Sequence, residues 1–184
     1  MTFNDHELVI GCRRNDRVSQ RRLYDAYAGR MMVVCLRYVK SRDEAEDILQ
    51  ESFIKVFEKI DTFRFECPLS AWIKRIVVNT ALNFLRDNRR YRFAEELDSV
   101  QEEVTAPVSD DLNWKDLLQL VQDLPPGCRA VFNLYAIEGY QHQEIAEMLG
   151  ISEGTSKSQY SRAKSLLQRM LTSFPYRLSE NGRV

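Results

Sequence analysis

The sequence is poor in the residues that interrupt helices. Its 184 residues include only five prolines and seven glycines, and these are the residues that a helix interior tolerates least. Nearly every apolar pattern repeats with the 3.6-residue period of a helix, and no convincing alternating strand or internal repeat is present. We therefore predict an all-α fold.

Residues that commonly carry catalysis or bind metals are also scarce. The chain has two histidines and four scattered cysteines, Cys12, Cys35, Cys67 and Cys128, without a CxxC pair. It has no Gly-rich phosphate loop, no GxSxG and no HExxH motif. We expect reduced, mostly buried thiols, no metal or other cofactor, and no enzymatic activity.

Long apolar runs are missing as well. No run approaches the roughly 18 residues that a membrane-spanning helix requires. The first residues, MTFNDHELVIGCRRND, lack the basic and then apolar pattern of a signal peptide. We expect a cytoplasmic protein without membrane insertion.

The formal net charge of −1 conceals a strong partition along the chain. Residues 1–92 carry 18 Lys and Arg against 13 Asp and Glu, residues 93–124 carry 1 against 9, and residues 125–184 carry 7 against 5. Residues 94–111 contain few large apolar side chains and cannot bury much surface. This pattern predicts two helical domains joined by a flexible acidic linker.

Several helices have clear limits in the sequence. Ser41 and Glu44 match a capping box, and the helix that follows should turn one stripe inward. This stripe comprises Ala45, Ile48, Leu49, Ser52, Val56 and Ile60. After an interruption at TFRFECPL, a helix should run from about Leu69 to about Arg90. Four further helical patterns occupy about 112–123, 126–137, 141–149 and 153–172.

The helix that begins near Leu69 has two distinct faces. Its predicted core stripe comprises Ile73, Ile76, Val77, Thr80 and Phe84. The opposite line comprises Arg75, Asn79, Asn83, Arg86 and Arg90. Cations interleaved with amides suit a phosphate backbone with bases attached to it. A solvated helix surface is the alternative interpretation.

The most specific stretch is YQHQEIAEMLGISEGTSKSQYSRAKSLLQRML. Gly150 stands where a left-handed helix stop is needed, Ile151 fills the turn, and Ser152 can cap the next helix. Two helices joined by such a turn form a helix-turn-helix, which presents its second helix to the major groove. The candidate DNA-contacting residues are Ser152, Glu153, Thr155, Ser156, Lys157, Gln159, Tyr160, Arg162 and Lys164. An αα-hairpin that binds no nucleic acid is the alternative.

Taken together, these segments resemble the extracytoplasmic-function (ECF) sigma factors of the sigma-70 family, the smallest type of bacterial RNA polymerase specificity subunit. DEAEDILQESFIKVFEKI resembles the region-two helix that binds core polymerase, and TFRFECPLSAWIKRIVVNTALNFLRDNRR resembles the melting and minus-ten segment. The stretch from LPPGCRAVF to RML resembles region four. The resemblance implies a region-two-like domain at 1–93, the linker at 94–111, a region-four-like domain at 112–175, and a tail at 176–184.

The resemblance also implies roles for individual residues. The residues Asp47, Gln50, Glu51, Phe53 and Glu58 would dock on the clamp helices of the largest polymerase subunit. A solvated face with a Glu51–Lys55 ion pair is the plainer alternative. The unpaired minus-ten strand would be held by Phe63, Phe65, Trp72, Arg75, Asn79, Asn83, Arg86, Arg89 and Arg90. Trp72 shares the apolar stripe and could instead belong to the core.

The implied partners are core RNA polymerase, including the flap of its second-largest subunit, promoter DNA in duplex and single-stranded form, and an anti-sigma factor. Ser156, Gln159 and Tyr160 depart from the family pattern, as does CPLSAW in the loop. One rival is a stand-alone helix-turn-helix repressor or activator, which would bind duplex DNA without polymerase. Another is a helical protein-interaction module that binds no DNA.

Overall fold

The structure, a computed structural model, describes residues 4–87 and 114–173. Within these ranges it contains helices and no strand, so the predicted all-α class is confirmed. The helices are α1 (Asp5–Arg13), α2 (Arg17–Leu36), α3 (Arg42–Lys59), α4 (Leu69–Asp87), α5 (Trp114–Gln122), α6 (Pro126–Phe132), α7 (His142–Leu149) and α8 (Glu153–Ser173). The chain divides into two compact units, Met1–Arg90 and Tyr91–Val184. The predicted linker and tail lie outside the described residues.

In the first unit, α2, α3 and α4 pack against one another and α1 packs on α2. Ser41 caps α3, since its hydroxyl accepts a hydrogen bond from the Glu44 amide at 3.4 Å. The whole stripe predicted for this part of the chain, Ala45, Ile48, Leu49, Ser52, Val56 and Ile60, is buried. The helical period therefore identified the inward side of α3 correctly.

The junction between α1 and α2 is tightly packed. Asp16 caps α2 by accepting hydrogen bonds from the amides of Val18 at 3.3 Å and Ser19 at 2.9 Å. A Cβ atom on Gly11 would lie 2.0 Å from the Ser19 hydroxyl oxygen. Glycine is needed at position 11 because the first turn of α2 passes directly over it.

The core stripe predicted for α4 was too narrow. Ile73, Val77 and Thr80 are buried as predicted, whereas Ile76 and Phe84 are only half-buried. Further buried residues of α4 are Leu69, Val78, Ala81, Leu82 and Leu85. The reason is that α4 packs against both α2 and α3, so more than one side of it faces the core.

The second unit is organised around α8, which packs on α6 and α7. One core cluster comprises Leu120, Leu124, Cys128, Ala163 and Met170. The helical pattern at 126–137 is an α-helix up to Phe132 and continues as a π-helical turn over Asn133–Ile137. Gly150 adopts the predicted left-handed conformation, with a φ of 67°. Ser152 caps α8 by accepting from the Thr155 amide at 3.0 Å.

Candidate nucleic-acid and polymerase interfaces

The polar line predicted on α4 faces solvent. Arg75, Asn79 and Arg86 are exposed and Asn83 is half-buried. The Arg86 guanidinium donates a hydrogen bond to the Asn83 side-chain oxygen. Arg89 and Arg90, predicted to extend this line, lie outside the described residues. The described part thus places cationic donors and side-chain amides on one solvent-facing side of α4.

The aromatic residues near the start of α4 differ in their accessibility. Phe63 is only 3% exposed and its ring centroid lies 5.3 Å from that of Trp72. The prediction that Phe63 stacks on a base is wrong for this conformation, because its ring fills the space beside Trp72. Trp72 itself is half-buried, whereas Phe65 is 42% exposed. Of the three aromatics, Phe65 is the one most open to a base.

The acidic face of α3 is also solvent-exposed. Asp47, Gln50, Glu51 and Glu58 are exposed. Lys55 Nζ lies 2.6 Å from Glu51 Oε1, which is the ion pair that the solvated-face alternative predicts. The placement of Phe53 on this face is wrong.

Phe53 is 2% exposed, and its ring centroid lies 4.7 Å from that of Tyr24 on α2. The apolar side chain that does belong to the acidic face is Ile54, which is 59% exposed. Asp47, Glu51, Ile54 and Glu58 follow at spacings of four, three and four, which is one side of a helix. That spacing was the signal in the sequence that could have identified Ile54.

Two residues predicted to contact the minus-thirty-five element are instead buried. Ser156 is 0% exposed and its hydroxyl oxygen lies 2.9 Å from His142 Nδ1. Gln159 is 4% exposed and its side-chain oxygen accepts a hydrogen bond from Cys128 Sγ at 2.9 Å. Both predictions are wrong because these positions lie on the side of α8 that packs on α6 and α7.

Tyr160 is half-buried in an aromatic cluster. Its ring centroid lies 4.5 Å from that of Tyr135 and 5.9 Å from that of His142. Lys164 Nζ lies 5.1 Å from the Tyr160 ring centroid. Much of the surface of the Tyr160 ring is therefore covered by contacts within the second unit, and little of it remains free to contact a base.

The remaining predicted contacts on α8 are spread over its outer surface. Ser152, Glu153, Lys157 and Lys164 are exposed, and Thr155 and Arg162 are half-buried. Glu153 Oε1 and Lys157 Nζ form an ion pair at 2.6 Å. The pKa of the Glu153 carboxyl is lowered, mainly by the hydrogen bond that Lys157 donates to it and secondly by the positive charge of Lys157.

The sequence interpretation missed two exposed hydroxyl residues on α8, Ser158 and Ser161. Ser161 lies four residues after Lys157 and three before Lys164, on the same side of the helix, and Ser158 lies three residues before Ser161. Ser158 donates a hydrogen bond to the Thr155 carbonyl at 2.9 Å, so its oxygen can still accept one. Their spacing from Lys157 was the signal in the sequence.

The described residues contain no cluster of three or more metal-ligating side chains. Nor does any helix in the described ranges have the length and apolar character that crossing a bilayer requires. Cys12, Cys35 and Cys128 are buried, as expected for most of the thiols, and Cys67 is exposed. Burial raises the pKa of Cys12 to about 11, aided by the charge of Asp16, and that of Cys35 to about 12.

A helix-turn-helix in one unit and a solvent-facing row of cations and amides in another define a DNA-binding protein built from two helical modules. Comparison with known proteins identifies the family within this class. Residues 23–91 match the sigma-70 region 2 family and residues 114–167 match the sigma-70 region 4 family.

Curated relatives agree with these matches over nearly the whole chain. The ECF RNA polymerase sigma-E factor of Haemophilus influenzae is 28% identical over 183 residues, covering 92% of this chain and 96% of the relative. The RNA polymerase sigma-H factor of Pseudomonas aeruginosa is 26% identical, with 91% and 93% covered.

A solved structure shares the fold. It is the sigma factor RpoE in complex with the anti-sigma factor NepR from Bartonella quintana, with a TM-score of 0.51 and 23% identity, covering 83% of this chain and 96% of that one. The chain belongs to the sigma-70 family and is of the extracytoplasmic-function type. It is therefore a transcription initiation factor that acts with core RNA polymerase at promoters, and not a stand-alone regulator.

Proposed function

We propose that the first unit captures the unpaired minus-ten strand with α4 and the loop before it, while α8 of the second unit reads the duplex minus-thirty-five element. The solvent-facing row of Arg75, Asn79, Asn83 and Arg86 is the observation that carries this proposal. We retain residues 1–93 and 112–175 as the extents of the two functional domains, with residues 94–111 as the connection.

Strand capture in this scheme needs no nucleotide hydrolysis. Extruding a base costs a few kcal/mol of stacking and pairing. Stacking on an aromatic side chain returns roughly 1–3 kcal/mol per base, and a cationic track holds the backbone. Phe65 offers an exposed ring for stacking, and Arg75 and Arg86 are placed for phosphates. Binding energy thus offsets the cost of melting, and the factor works without an enzymatic step.

For the minus-thirty-five element, the outer side of α8 supplies the contacts. Lys157 and Lys164 are exposed cations for phosphates. In this proposal Ser158 and Ser161 lie near the bases, instead of the buried Ser156 and Gln159. Hydroxyl groups can donate to or accept from base edges, and their small size allows α8 to approach the groove closely.

The acidic face of α3 provides the contact with core polymerase. Acidic side chains repel DNA, so Asp47, Glu51 and Glu58 favour a protein partner with a basic surface. The exposed Ile54 adds an apolar centre to this face. We assign this face to the clamp helices of the largest subunit, and the second unit to the flap of the second-largest subunit.

The factor would act in the cytoplasm, where RNA polymerase works. The RpoE structure, which shares the fold, is a complex with an anti-sigma factor. By analogy we propose that an anti-sigma factor also binds this chain and competes with the polymerase.

Run-off transcription tests the proposal directly. Purified core polymerase, this protein and a genomic fragment library are combined, and the transcript starts are sequenced. We expect starts that share upstream elements and disappear when the protein is omitted. No dependent starts, together with tight duplex binding by the protein alone, would instead indicate a stand-alone regulator.

Paired variants then locate the two surfaces. Asn79→Ala with Asn83→Ala should reduce open-complex formation on a duplex promoter and leave core binding intact. Asp47→Ala with Glu51→Ala serves as the matched control, since it should weaken core association without changing promoter preference. If the Asn variants lost core binding instead, their side chains would have a structural role.

A further inference from the structure

Arg13, near the end of α1, makes three contacts with one short segment of the chain. Its Nε donates to the Ile60 carbonyl at 3.4 Å, and its Nη2 donates to the Phe63 carbonyl. Its Cζ also lies 5.5 Å from the centroid of the Phe65 ring. A single guanidinium thus connects α1 to both the start and the centre of the loop that leads into α4.

The backbone held by these contacts is strained. Phe65 has a φ of 60°, in the left-handed region that bulky L-residues rarely adopt. Such a conformation persists only where the surroundings determine it, and it is concentrated at binding sites. Here the surroundings are Arg13, the His6 ring with its centroid 5.0 Å from that of Phe65, and the Phe63 ring at 4.9 Å.

The strain is only partly offset by burial. Phe65 remains 42% exposed, so its ring gains less from the core than the buried Phe63 does. A glycine at position 65 would adopt the same backbone without strain. The left-handed backbone therefore carries a conformational cost at a residue whose aromatic ring is partly exposed, in the loop that leads into α4.

We propose that Arg13 is a positioning residue of the minus-ten site, which holds Phe65 in its left-handed conformation as a stacking platform for an unpaired base of the promoter strand. His6 contacts the same ring from the first turn of α1. Residues 6 and 13 both precede residue 23, where the region 2 family match begins, so the family match assigns them no role. This inference rests on the proposed function and deepens it.

The test uses the reconstituted holoenzyme and a single-stranded oligonucleotide carrying the minus-ten sequence mapped by the run-off experiment. 2-Aminopurine replaces each base of the element in turn, and its fluorescence reports stacking and binding. Two variants are tested, Phe65→Gly and Arg13→Lys. The Arg13→Lys variant keeps the positive charge and loses the planar guanidinium group. Arg14→Lys is the matched control, because Arg14 is exposed and adjacent on the chain.

We expect Phe65→Gly to weaken strand binding about tenfold, the equivalent of one lost stacking contact. Its melting temperature should change little, since the relief of backbone strain offsets the loss of the ring contacts. Arg13→Lys should weaken strand binding and reduce the fluorescence change at one base position, whereas Arg14→Lys should match the wild type. Core binding should be unchanged in all three variants.

Two outcomes would overturn the inference. One is strand binding by Phe65→Gly or Arg13→Lys that equals the wild type. The other is a loss of strand binding that is accompanied by loss of thermal stability and of core binding, which would make Arg13 and Phe65 packing residues. A wild-type holoenzyme that failed to bind the unpaired strand would contradict the proposed function itself, and the two failures are therefore distinguishable.

Discussion

His142 Nδ1 lies 2.9 Å from the hydroxyl oxygen of Ser156, so the first helix of the helix-turn-helix is hydrogen-bonded to the second. This contact fixes Ser156 on the inner side of α8, away from the exposed side of that helix. Position 156 therefore carries a small polar residue of the kind that can contact DNA bases, but its side chain is buried in the core of the unit.

Replacing the serines of α8 should separate stability from DNA contact. Ser156→Ala removes the hydrogen-bond partner of His142 and should lower the free energy of unfolding by about 1 kcal/mol. Ser158→Ala and Ser161→Ala, on the exposed side, should stay within about 0.5 kcal/mol of the wild type. Thermal unfolding measures these changes.

The same variants should rank differently in DNA binding. Holoenzyme binding to a duplex minus-thirty-five fragment should weaken for Ser158→Ala and Ser161→Ala, with a changed base preference. Ser156→Ala should retain the wild-type preference. A changed preference in Ser156→Ala would mean that α8 turns its other side toward the groove.

Glu153 should restrain DNA binding through Lys157. The two side chains form an ion pair at 2.6 Å on the exposed start of α8. Because the pKa of Glu153 is lowered by Lys157, the carboxylate stays ionised under any assay condition near neutral pH. Glu153→Gln should release Lys157 for a phosphate and tighten duplex binding by the holoenzyme.

A salt titration identifies the cause. If Lys157 gains one phosphate contact, the slope of log K against log salt should become steeper by about 0.9. Lys157→Gln in the Glu153→Gln background should remove this increment. An unchanged slope in Glu153→Gln would show that loss of the ion pair gives Lys157 no additional phosphate contact.

Two glycines of the first unit should respond oppositely to alanine. At Gly11 the new Cβ would lie 2.0 Å from the Ser19 hydroxyl, so Gly11→Ala should cost about 1–3 kcal/mol through overpacking. Gly29 lies within α2, and beyond the adjoining backbone of its own helix no atom lies within 4 Å of the position that a Cβ would take there. Gly29→Ala should therefore stabilise the unit by about 0.5–1 kcal/mol. Denaturant unfolding of the two variants measures both effects. Equal effects would contradict the close approach at the α1–α2 junction.

Ile54 and Phe53 are neighbours that should have separate roles. Ile54→Ala should weaken association with core polymerase and leave the melting temperature within error, because Ile54 is 59% exposed. Phe53→Ala should lower the free energy of unfolding by about 3–5 kcal/mol, since its ring is buried. Fluorescence anisotropy with labelled protein measures core binding. Wild-type affinity in Ile54→Ala would remove Ile54 from the interface.

Cys67 should be the thiol that reacts fastest with an alkylating agent at about pH 8. It is exposed, whereas burial raises the pKa of Cys12 to about 11 and that of Cys35 to about 12. Only the thiolate reacts, so the buried thiols should lag. Peptide mapping by mass spectrometry gives the order of modification. Labelling of Cys12 or Cys35 at the rate of Cys67 would indicate opening of the first unit.

The sequence by itself determined the features that depend on local spacing. The all-α class, the cap at Ser41, the inward stripe of α3, the left-handed stop at Gly150 and the cap at Ser152 each require only a few neighbouring residues. These signals are local because capping and helix termination are satisfied within one or two turns.

The tertiary structure alone decided which of two adjacent positions faces inward. Successive residues on a helix are rotated by about 100°, so a small error in orientation exchanges an exposed residue for a buried one. Phe53 is therefore in the core and Ile54 on the surface, and Ser156 and Gln159 are buried while Ser158 and Ser161 are exposed. The contact of Arg13 with Phe65 joins residues 52 positions apart. No local pattern encodes it, because it arises only when α1 packs beside the loop that precedes α4.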